Sequence, residues 1–329
     1  MVLASNNYLG FTHAPEVIEA ASRAALKFGT GSSGSRLTTG GTFIASELEK
    51  RLADFKHSES ALVFNTGYMT NLGVLYGLLQ TGDVVFSDEL NHASIIDGCR
   101  ISRCKVVVYK HNDMADLQRL LETEIVTGQR FIVTDGVFSM DGDIADLPSL
   151  AVLKKQFNAC LIVDDAHGVG VIGNDGSGTA SHYGLTDVID LQVGTLSKAL
   201  AAEGGYVAGK KILIDYLINR SRPFIFSTAL APATLAAANA ALLLLQTQAS
   251  KYLDSLRANS RLMRRLLLEG GLNVVEGITP IIPVVIGEAG LTMQFADRLK
   301  SKGILVSGIR PPTVPRGESR LRITVTAAH

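Results

Sequence analysis

The strongest constraint on the fold is a series of short apolar runs between residues 61 and 208. They are rich in β-branched residues, and stretches with helical periodicity separate most of them. Nearly continuous apolar strands are typical of a parallel sheet that is covered on both faces. The alternation therefore predicts an α/β architecture, with a mostly parallel seven-stranded sheet and helices on both faces. The seven runs lie at 61–64, 84–87, 105–109, 131–134, 160–164, 190–194 and 205–208.

The seventh run differs from the others in how it is connected. It follows the sixth closely, after Gly204 and Gly205, which leaves too little chain for a helical crossover. Parallel neighbours need such a crossover, whereas antiparallel neighbours do not. We therefore expect this strand to be antiparallel.

The sequence before and after the predicted strands divides the chain into three parts. These are an N-terminal segment at 1–40, a large domain at 41–235 and a small α+β domain at 236–329. Apolar periodicity indicates helices at 15–28 and 44–55 in the first two parts. Residues 232–270, rich in Ala and Leu, are predicted to form one or two long helices. In the small domain we expect strands at 281–286, 304–306 and 321–325 around a helix at 292–302.

Composition argues against several classes of partner. Lys plus Arg equals Asp plus Glu, at 31 each, so charge gives no support for nucleic acid or an anionic membrane as a partner. Cys99, Cys104 and Cys160 have neither CxxC spacing nor a histidine cluster, so we expect no metal site and a reducing, cytoplasmic location. No apolar run approaches the roughly 20 residues of a membrane span, and the start lacks the pattern of a signal peptide.

The segment Thr195-Leu-Ser-Lys198 follows the sixth apolar run and carries the first chemical signal. A lysine at the end of a buried strand is a candidate for a covalent imine with an aldehyde cofactor, because burial favours the neutral, nucleophilic amine. A solvated loop lysine is the alternative, and for Lys198 alone it is the better one. The segment Asp164-Asp-Ala-His167 upstream favours the cofactor instead.

Several polar groups follow the predicted strands at their carboxyl ends, where open α/β sheets bind ligands. They are Gly67 and Tyr68 after 61–64, His92 after 84–87, Ser139 after 131–134, Asp164 and His167 at the end of 160–164, and Thr195 and Lys198 after 190–194. Together they predict one site that holds an aromatic, two imidazoles, a carboxylate, hydroxyls and an amine.

Each member of this set also has a simpler interpretation. Gly67 is either a turn residue or the start of a helix whose N–H groups face a phosphate. His92 alone is more typical of a surface histidine, and Ser139 alone carries almost no signal. Asp164 and Asp165 could bind magnesium, but no GxxxxGK[ST] loop accompanies them. The set is therefore more specific than any of its members.

Six segments together resemble the α-oxoamine synthases, a family of fold-type-I pyridoxal 5'-phosphate (PLP) enzymes. The resemblance covers nearly all of the chain and implies a fold-type-I PLP-dependent transferase. The segments are 5–10 (SNNYLG), 31–36 (GSSGSR), 87–94 (SDELNHAS), 135–142 (DGVFSMDG), 163–168 (VDDAHG) and 195–198 (TLSK).

The resemblance implies a role for each residue near the ring of the cofactor. Lys198 would hold the cofactor covalently and then act as a base on the substrate Cα proton. Asp164 would pair with the pyridine nitrogen and keep it protonated, so that the ring can accept electrons. His167 would hydrogen-bond the ring oxygen O3', His92 would stack on the ring, and Ser139 would lie close to it.

The resemblance also implies how the phosphate and the partner subunit are arranged. Gly67 and Tyr68 would bind the phosphate through their backbone N–H groups, with help from Thr195. Thr228 would reach the phosphate of the partner subunit, because the family forms homodimers with a shared active site.

Substrate choice rests on the C-terminal segments 309–315 (IRPPTVP) and 319–329 (SRLRITVTAAH). They look most like the family member of biotin synthesis, which condenses L-alanine with pimeloyl-CoA or pimeloyl-carrier protein. Arg322 would bind the amino-acid carboxylate through its planar guanidinium, assisted by Asn6.

Two alternatives to the alanine-using enzyme remain open at this stage, which makes three interpretations in all. Other members of the family use glycine with a different acyl-CoA. A non-catalytic dimeric module that keeps the fold is a third reading, because the family usually begins some tens of residues earlier and ends with a further helix. CoA release with an amino acid and an acyl-CoA separates the enzyme from such a module.

Overall fold

The seven apolar runs form the strands of one sheet, as the sequence predicts. The structure is a computed structural model that describes residues 1–329. The strands are β1 (Ser60–Phe64), β2 (Val84–Asp88), β3 (Lys105–Tyr109), β4 (Arg130–Asp135), β5 (Ala159–Asp164), β6 (Leu191–Thr195) and β7 (Gly205–Gly209).

The order of strands across this sheet is β1-β7-β6-β5-β4-β2-β3. The five strands from β6 to β3 run parallel to their neighbours, which confirms the mostly parallel sheet. Strand β7 is antiparallel to both β6 and β1, with Thr195 opposite Gly205 and Phe64 opposite Gly205 on its other side. The short connection through Gly204 therefore forms a hairpin, as expected.

Helices cover both faces of the sheet because successive strand residues point to opposite sides. On β1, Leu62 packs in a core with Val74 and Leu217, whereas its neighbour Val63 packs with Leu48 on the other face. The helices up to this point of the chain are α1 (Pro15–Phe28), α2 (Phe43–Phe55), α3 (Gly67–Leu78), α4 (Ala93–Ile101), α5 (Met114–Thr123), α6 (Leu147–Gln156), α7 (Thr179–His182), α8 (Lys211–Arg220) and α9 (Arg222–Ile225).

A long helix, α10 (Pro232–Glu269), runs from the large unit into the small one. Its backbone is non-helical at Gln248, where the helix is kinked. Leu256 still packs in the core of the large unit, and Met263 packs against the core of the small unit. Our predicted domain boundary at residue 235 falls in the first turn of this helix. It stays a prediction, because one helix packs against the cores of both units.

The small unit is a three-stranded antiparallel sheet with helix α11 (Ala289–Ser301) on it. Its strands are β8 (Ile281–Gly287), β9 (Ser307–Ile309) and β10 (Ser319–Thr324), in the order β8-β10-β9. The strand predicted at 304–306 is wrong by three residues. The backbone of Leu305 forms hydrogen bonds with the backbones of Met1 and Leu3 instead, so pairing with β10 begins only at Ser307.

None of the helices has both the length and the apolar composition that a bilayer crossing requires.

Candidate active site

A cavity of about 190 Å³ lies at the carboxyl ends of β4, β5 and β6. Fourteen residues line it, and only two of them are hydrophobic. Eight of the predicted site residues are in the lining: Gly67, Tyr68, His92, Ser139, Asp164, His167, Thr195 and Lys198. The polar groups that the sequence places at the strand ends therefore do meet in one cavity.

Asp164 is the buried carboxylate of this cavity and the last residue of β5. Its Oδ2 accepts a hydrogen bond from Asn71 Nδ2 at 2.6 Å, and its Oδ1 accepts one from the Ala166 N–H at 3.0 Å. Both donors are neutral, and Asp164 takes part in none of the ion pairs of the structure. A buried carboxylate normally requires a cation, so the site has a place for a positively charged group of a ligand.

Asn71 is a site residue that the sequence analysis missed. It lies one helical turn after Gly67 on α3, and its Nδ2 also donates to Ser94 Oγ at 2.9 Å. Ser94 Oγ in turn lies 2.7 Å from His92 Nδ1. The signal in the sequence is the four-residue spacing from Gly67, because residues i and i+4 share one face of a helix.

The first turn of α3 faces the cavity with free donors. Thr66 caps the helix by accepting from the Met69 N–H at 3.0 Å, while the N–H groups of Gly67 and Tyr68 have no acceptor within the chain. Gly205 lets β7 approach closely here, because a Cβ at this position would lie 2.6 Å from Gly67 Cα. Unpaired N–H groups at a helix start are suited to bind a phosphate.

The hydroxyl of Thr195 lies beside this helix start, at the end of β6. It donates to the Gly204 carbonyl at 2.9 Å and lies 2.7 Å from Ser197 Oγ. The side chain of Tyr68 points elsewhere, since its hydroxyl donates to Asp97. Only the backbone of Tyr68 is therefore suited to the predicted phosphate contact.

The amine of Lys198 is poised toward its neutral form. Burial lowers the pKa of Lys198, and the charge of Arg322 lowers it further, whereas Asp164 and Asp135 raise it. The net direction is downward, which increases the fraction of nucleophilic amine.

His167 is buried and neutral. Burial holds the pKa of His167 well below its usual range, and the charges of Lys198 and Arg322 act in the same direction. Its Nδ1 lies 2.6 Å from the hydroxyl of Tyr8, a second residue that the sequence analysis missed. Burial raises the pKa of Tyr8 to about 12, so the phenol keeps its proton and orients the imidazole. The segment at 5–10 contained this residue, but no local pattern links it to His167.

Asp135 is a second buried carboxyl group in the cavity lining and was also missed. Burial raises the pKa of Asp135 well above its usual range, and the neighbouring charge of Asp164 raises it further. Its Oδ2 accepts from the His92 N–H at 3.0 Å, which ties the backbone of this lining histidine to the end of β4.

Three predicted residues do not line the cavity. Arg322 on β10 is buried and donates to Asn6 Oδ1 at 3.3 Å, to Thr324 Oγ1 at 2.9 Å and to the Ser139 carbonyl. It is therefore tied to the cavity through Ser139, with Asn6 beside it. Thr228 is exposed and is not among the lining residues, and its carbonyl accepts from the Asn65 side chain.

The residues present fit pyridoxal 5'-phosphate. The buried carboxylate of Asp164 lacks a cation, the start of α3 offers free N–H donors, and Lys198 supplies an amine in the same cavity. These three groups match the pyridine nitrogen, the phosphate and the aldehyde of that cofactor.

Comparisons with known proteins agree with this geometry. The family model of the aminotransferases of class I and II matches residues 1–329. The 8-amino-7-oxononanoate synthase of Lysinibacillus sphaericus is 49% identical over 329 residues, which cover 100% of this chain and 84% of that protein. The 8-amino-7-oxononanoate synthase of Geobacter sulfurreducens is 52% identical over 330 residues, with the same coverage of 100% and 84%.

Solved structures share the fold along the whole chain. A serine palmitoyltransferase from S. paucimobilis, solved with a bound PLP–myriocin adduct, superposes with a TM-score of 0.97 at 34% identity, covering 100% of this chain and 83% of that one. The 8-amino-7-oxononanoate synthase of Francisella tularensis superposes with a TM-score of 0.85 at 30% identity, covering 100% and 92%. The fold is therefore that of the fold-type-I PLP-dependent transferases.

Proposed function

The chain belongs to the aminotransferase class I and II family, with 8-amino-7-oxononanoate synthases among its relatives, and we propose that it condenses L-alanine with pimeloyl-CoA. The products are 8-amino-7-oxononanoate, CoA and CO₂, a step of biotin synthesis. The observation that carries the proposal is the buried Asp164, which has only neutral donors and faces the same cavity as Lys198.

Pyridoxal 5'-phosphate is the proposed cofactor, and when bound it supplies an aldehyde for imine formation and a ring that accepts electrons. Asp164 would keep the ring nitrogen protonated, since a buried carboxylate stabilises a neighbouring cation. The N–H groups of Gly67 and Tyr68 would bind the phosphate together with Thr195. His167 would donate to the ring oxygen, because Tyr8 occupies its other nitrogen.

Lys198 has two roles in this proposal. Its neutral amine would hold the cofactor covalently, and the same amine would serve as the base that takes the Cα proton of alanine. The lowered pKa of Lys198 suits both steps, since both require an unprotonated amine.

Arg322 binds the carboxylate of the amino acid, and Asn6 orients the guanidinium. His92 would stack on the ring of the bound cofactor, and Ser139 would lie close to it. We further propose a cytoplasmic homodimer in which the exposed Thr228 reaches the phosphate of the partner subunit.

The test compares substrate pairs by CoA release. We expect a higher kcat/KM for L-alanine with pimeloyl-CoA than for glycine with acetyl-CoA or succinyl-CoA. The methyl group of alanine is worth only about 1–3 kcal/mol in a hydrophobic pocket, so the acyl group should contribute to the preference. A preference for glycine with a short acyl group would refute the proposed reaction, and no CoA release with any pair would favour the non-catalytic module.

A further inference from the structure

The loop at 136–145 carries Ser139 into the active-site cavity and joins the two units of the molecule. On the side of the small unit, three contacts hold it. Arg322 donates to the Ser139 carbonyl, Arg320 pairs with Asp141, and Thr279 Oγ1 donates to the Gly142 carbonyl at 2.7 Å. These contacts fix the loop from one direction only.

On the side of the large unit, the loop is held by His111. The ring nitrogen Nε2 lies 2.9 Å from Asp143 Oδ2 in the loop, and Nδ1 lies 3.0 Å from Asp88 Oδ1 at the end of β2. The imidazole also packs edge-on against Phe138, with 4.4 Å between the ring centroids. One side chain thus joins the sheet to the loop by two polar contacts and one apolar contact.

The charge of His111 follows from this geometry. Both of its ring nitrogens face carboxylate oxygens, which only accept hydrogen bonds, so both nitrogens must carry a proton. Burial alone would lower the pKa of His111, but the hydrogen bonds and charges of Asp143 and Asp88 outweigh it and raise the pKa to about 10. The side chain is 23% exposed, so this cation is largely shielded from solvent.

The anchor of this contact is itself rigid. Asp88 is buried and accepts from the Leu90 N–H and from the Asn112 N–H, each at 2.9 Å. Asn112 makes a further contact with the loop, because its Nδ2 donates to the Ile144 carbonyl at 3.2 Å. His111 and Asn112 therefore hold the loop in a fixed place relative to the end of β2.

We infer that His111 is a positioning residue, a permanent cation that holds the 136–145 loop against the sheet and so places Ser139 in the cavity and its carbonyl on Arg322. The inference rests on the proposed function, because it takes the cavity as the cofactor site. The alternative is an ion pair that stabilises the fold without affecting the site.

The first test reads the loop itself by hydrogen exchange and mass spectrometry on the cofactor-free protein. His111→Gln should increase exchange within the loop, where the amides of Phe138, Gly142 and Ala145 are hydrogen-bonded. His57→Gln is the matched control, since His57 also contacts a carboxylate, Asp175, but on the surface. Exchange in the loop that equals the control would overturn the inference, whether or not the protein has the proposed activity.

The second test asks whether the effect passes through Ser139. We expect His111→Gln to lower kcat/KM by up to about 100-fold, since a displacement of about 1 Å in an active site can cost that much. In a Ser139→Ala background the same change should cost less than in the parent, because the hydroxyl is already gone and only the contact of the residue-139 carbonyl with Arg322 is left to lose. Fully multiplicative losses in the double variant would refute positioning of Ser139 by His111.

Two further variants separate charge from folding. His111→Lys keeps the cation and should recover part of the lost kcat/KM, and Asp143→Asn removes the other partner and should reproduce the loop exchange of His111→Gln. If neither holds while the variants unfold at the parent's temperature, the inference fails. If the parent releases no CoA with any substrate pair, the proposed function fails, and the exchange test still decides the role of His111.

Discussion

Two neighbouring aspartates, Asp164 and Asp165, are in opposite surroundings. Asp165 faces away from the cavity, where its Oδ2 lies 3.0 Å from Lys56 Nζ and accepts from the Thr179 N–H at 3.0 Å. Both side chains of the Lys56–Asp165 pair are almost fully buried, at 0% and 1% exposure. Asp164 is also buried, at 6% exposure, but it is hydrogen-bonded to Asn71 and to a backbone N–H only.

The difference shows how one strand end serves structure on one side and binding on the other. Burial raises the pKa of Asp165, but Lys56 and Thr179 oppose that rise, so the charge is compensated within the chain. On the cavity side no cation pairs directly with Asp164, and burial lowers the pKa of both Lys198 and His167. The far side is therefore complete by itself, and the cavity side is complete only with a ligand.

The largest effect is expected for Lys198→Ala on the cavity side. Removing the amine removes the covalent contact and the base together, so turnover should fall at least about 1000-fold. The variant should fold, because Lys198 takes part in no ion pair. The measurements are CoA release and the amount of cofactor that stays attached to the protein after reduction with borohydride. Parental values of both would exclude Lys198 from these roles.

Asp164→Asn should slow Cα deprotonation by about 100-fold, the size of effect seen when one electrostatic contact is lost from a reacting centre. The cofactor should remain bound, since its phosphate and its covalent contacts are unchanged. Exchange of the alanine α-proton with deuterated solvent measures this step. Asp165→Asn is the matched control, and an equal loss in both variants would contradict the division between the two sides.

Stability should respond in the reverse order. Asp165→Asn leaves the Lys56 ammonium buried without a carboxylate, which should lower the free energy of unfolding by about 3 kcal/mol. Asp164→Asn should cost less, since no cation loses its partner. Urea unfolding of the cofactor-free protein at fixed concentration compares the two. A Lys56→Met change added to Asp165→Asn should recover part of the loss, and no recovery would mean that the pair does not act through its charges.

The smallest effect is a pH dependence that originates on the cavity side. The pKa of His167 is depressed in the folded protein, whereas in the unfolded chain it is about 6.5. Above that pH the histidine is neutral in both states and costs nothing. As the pH falls below about 6.5, the unfolded chain gains a proton that the folded protein does not, so stability decreases. His167→Asn should flatten the unfolding free energy between pH 7 and pH 5, and an unchanged slope would assign it to other groups.

The sheet was predictable because each strand is a local apolar run, and the seven runs match β1 to β7 within a residue or two at each end. The hairpin of β6 and β7 was predictable from the length of its connection. The position of β9 was not, because Leu305 is apolar but pairs with the N-terminal residues instead. Distant pairing of this kind leaves no local pattern.

The amino-acid sequence by itself determined the α/β sheet and the place of Lys198, Asp164 and His167 at its carboxyl edge, since periodicity and strand ends are local properties. Only the tertiary structure decided which groups complete the site. Asn71 meets Asp164 across 93 positions of the chain, and Tyr8 meets His167 across 159. The physical reason is that these hydrogen bonds depend on how helices and the N-terminal segment pack on the sheet, which no short stretch of residues encodes.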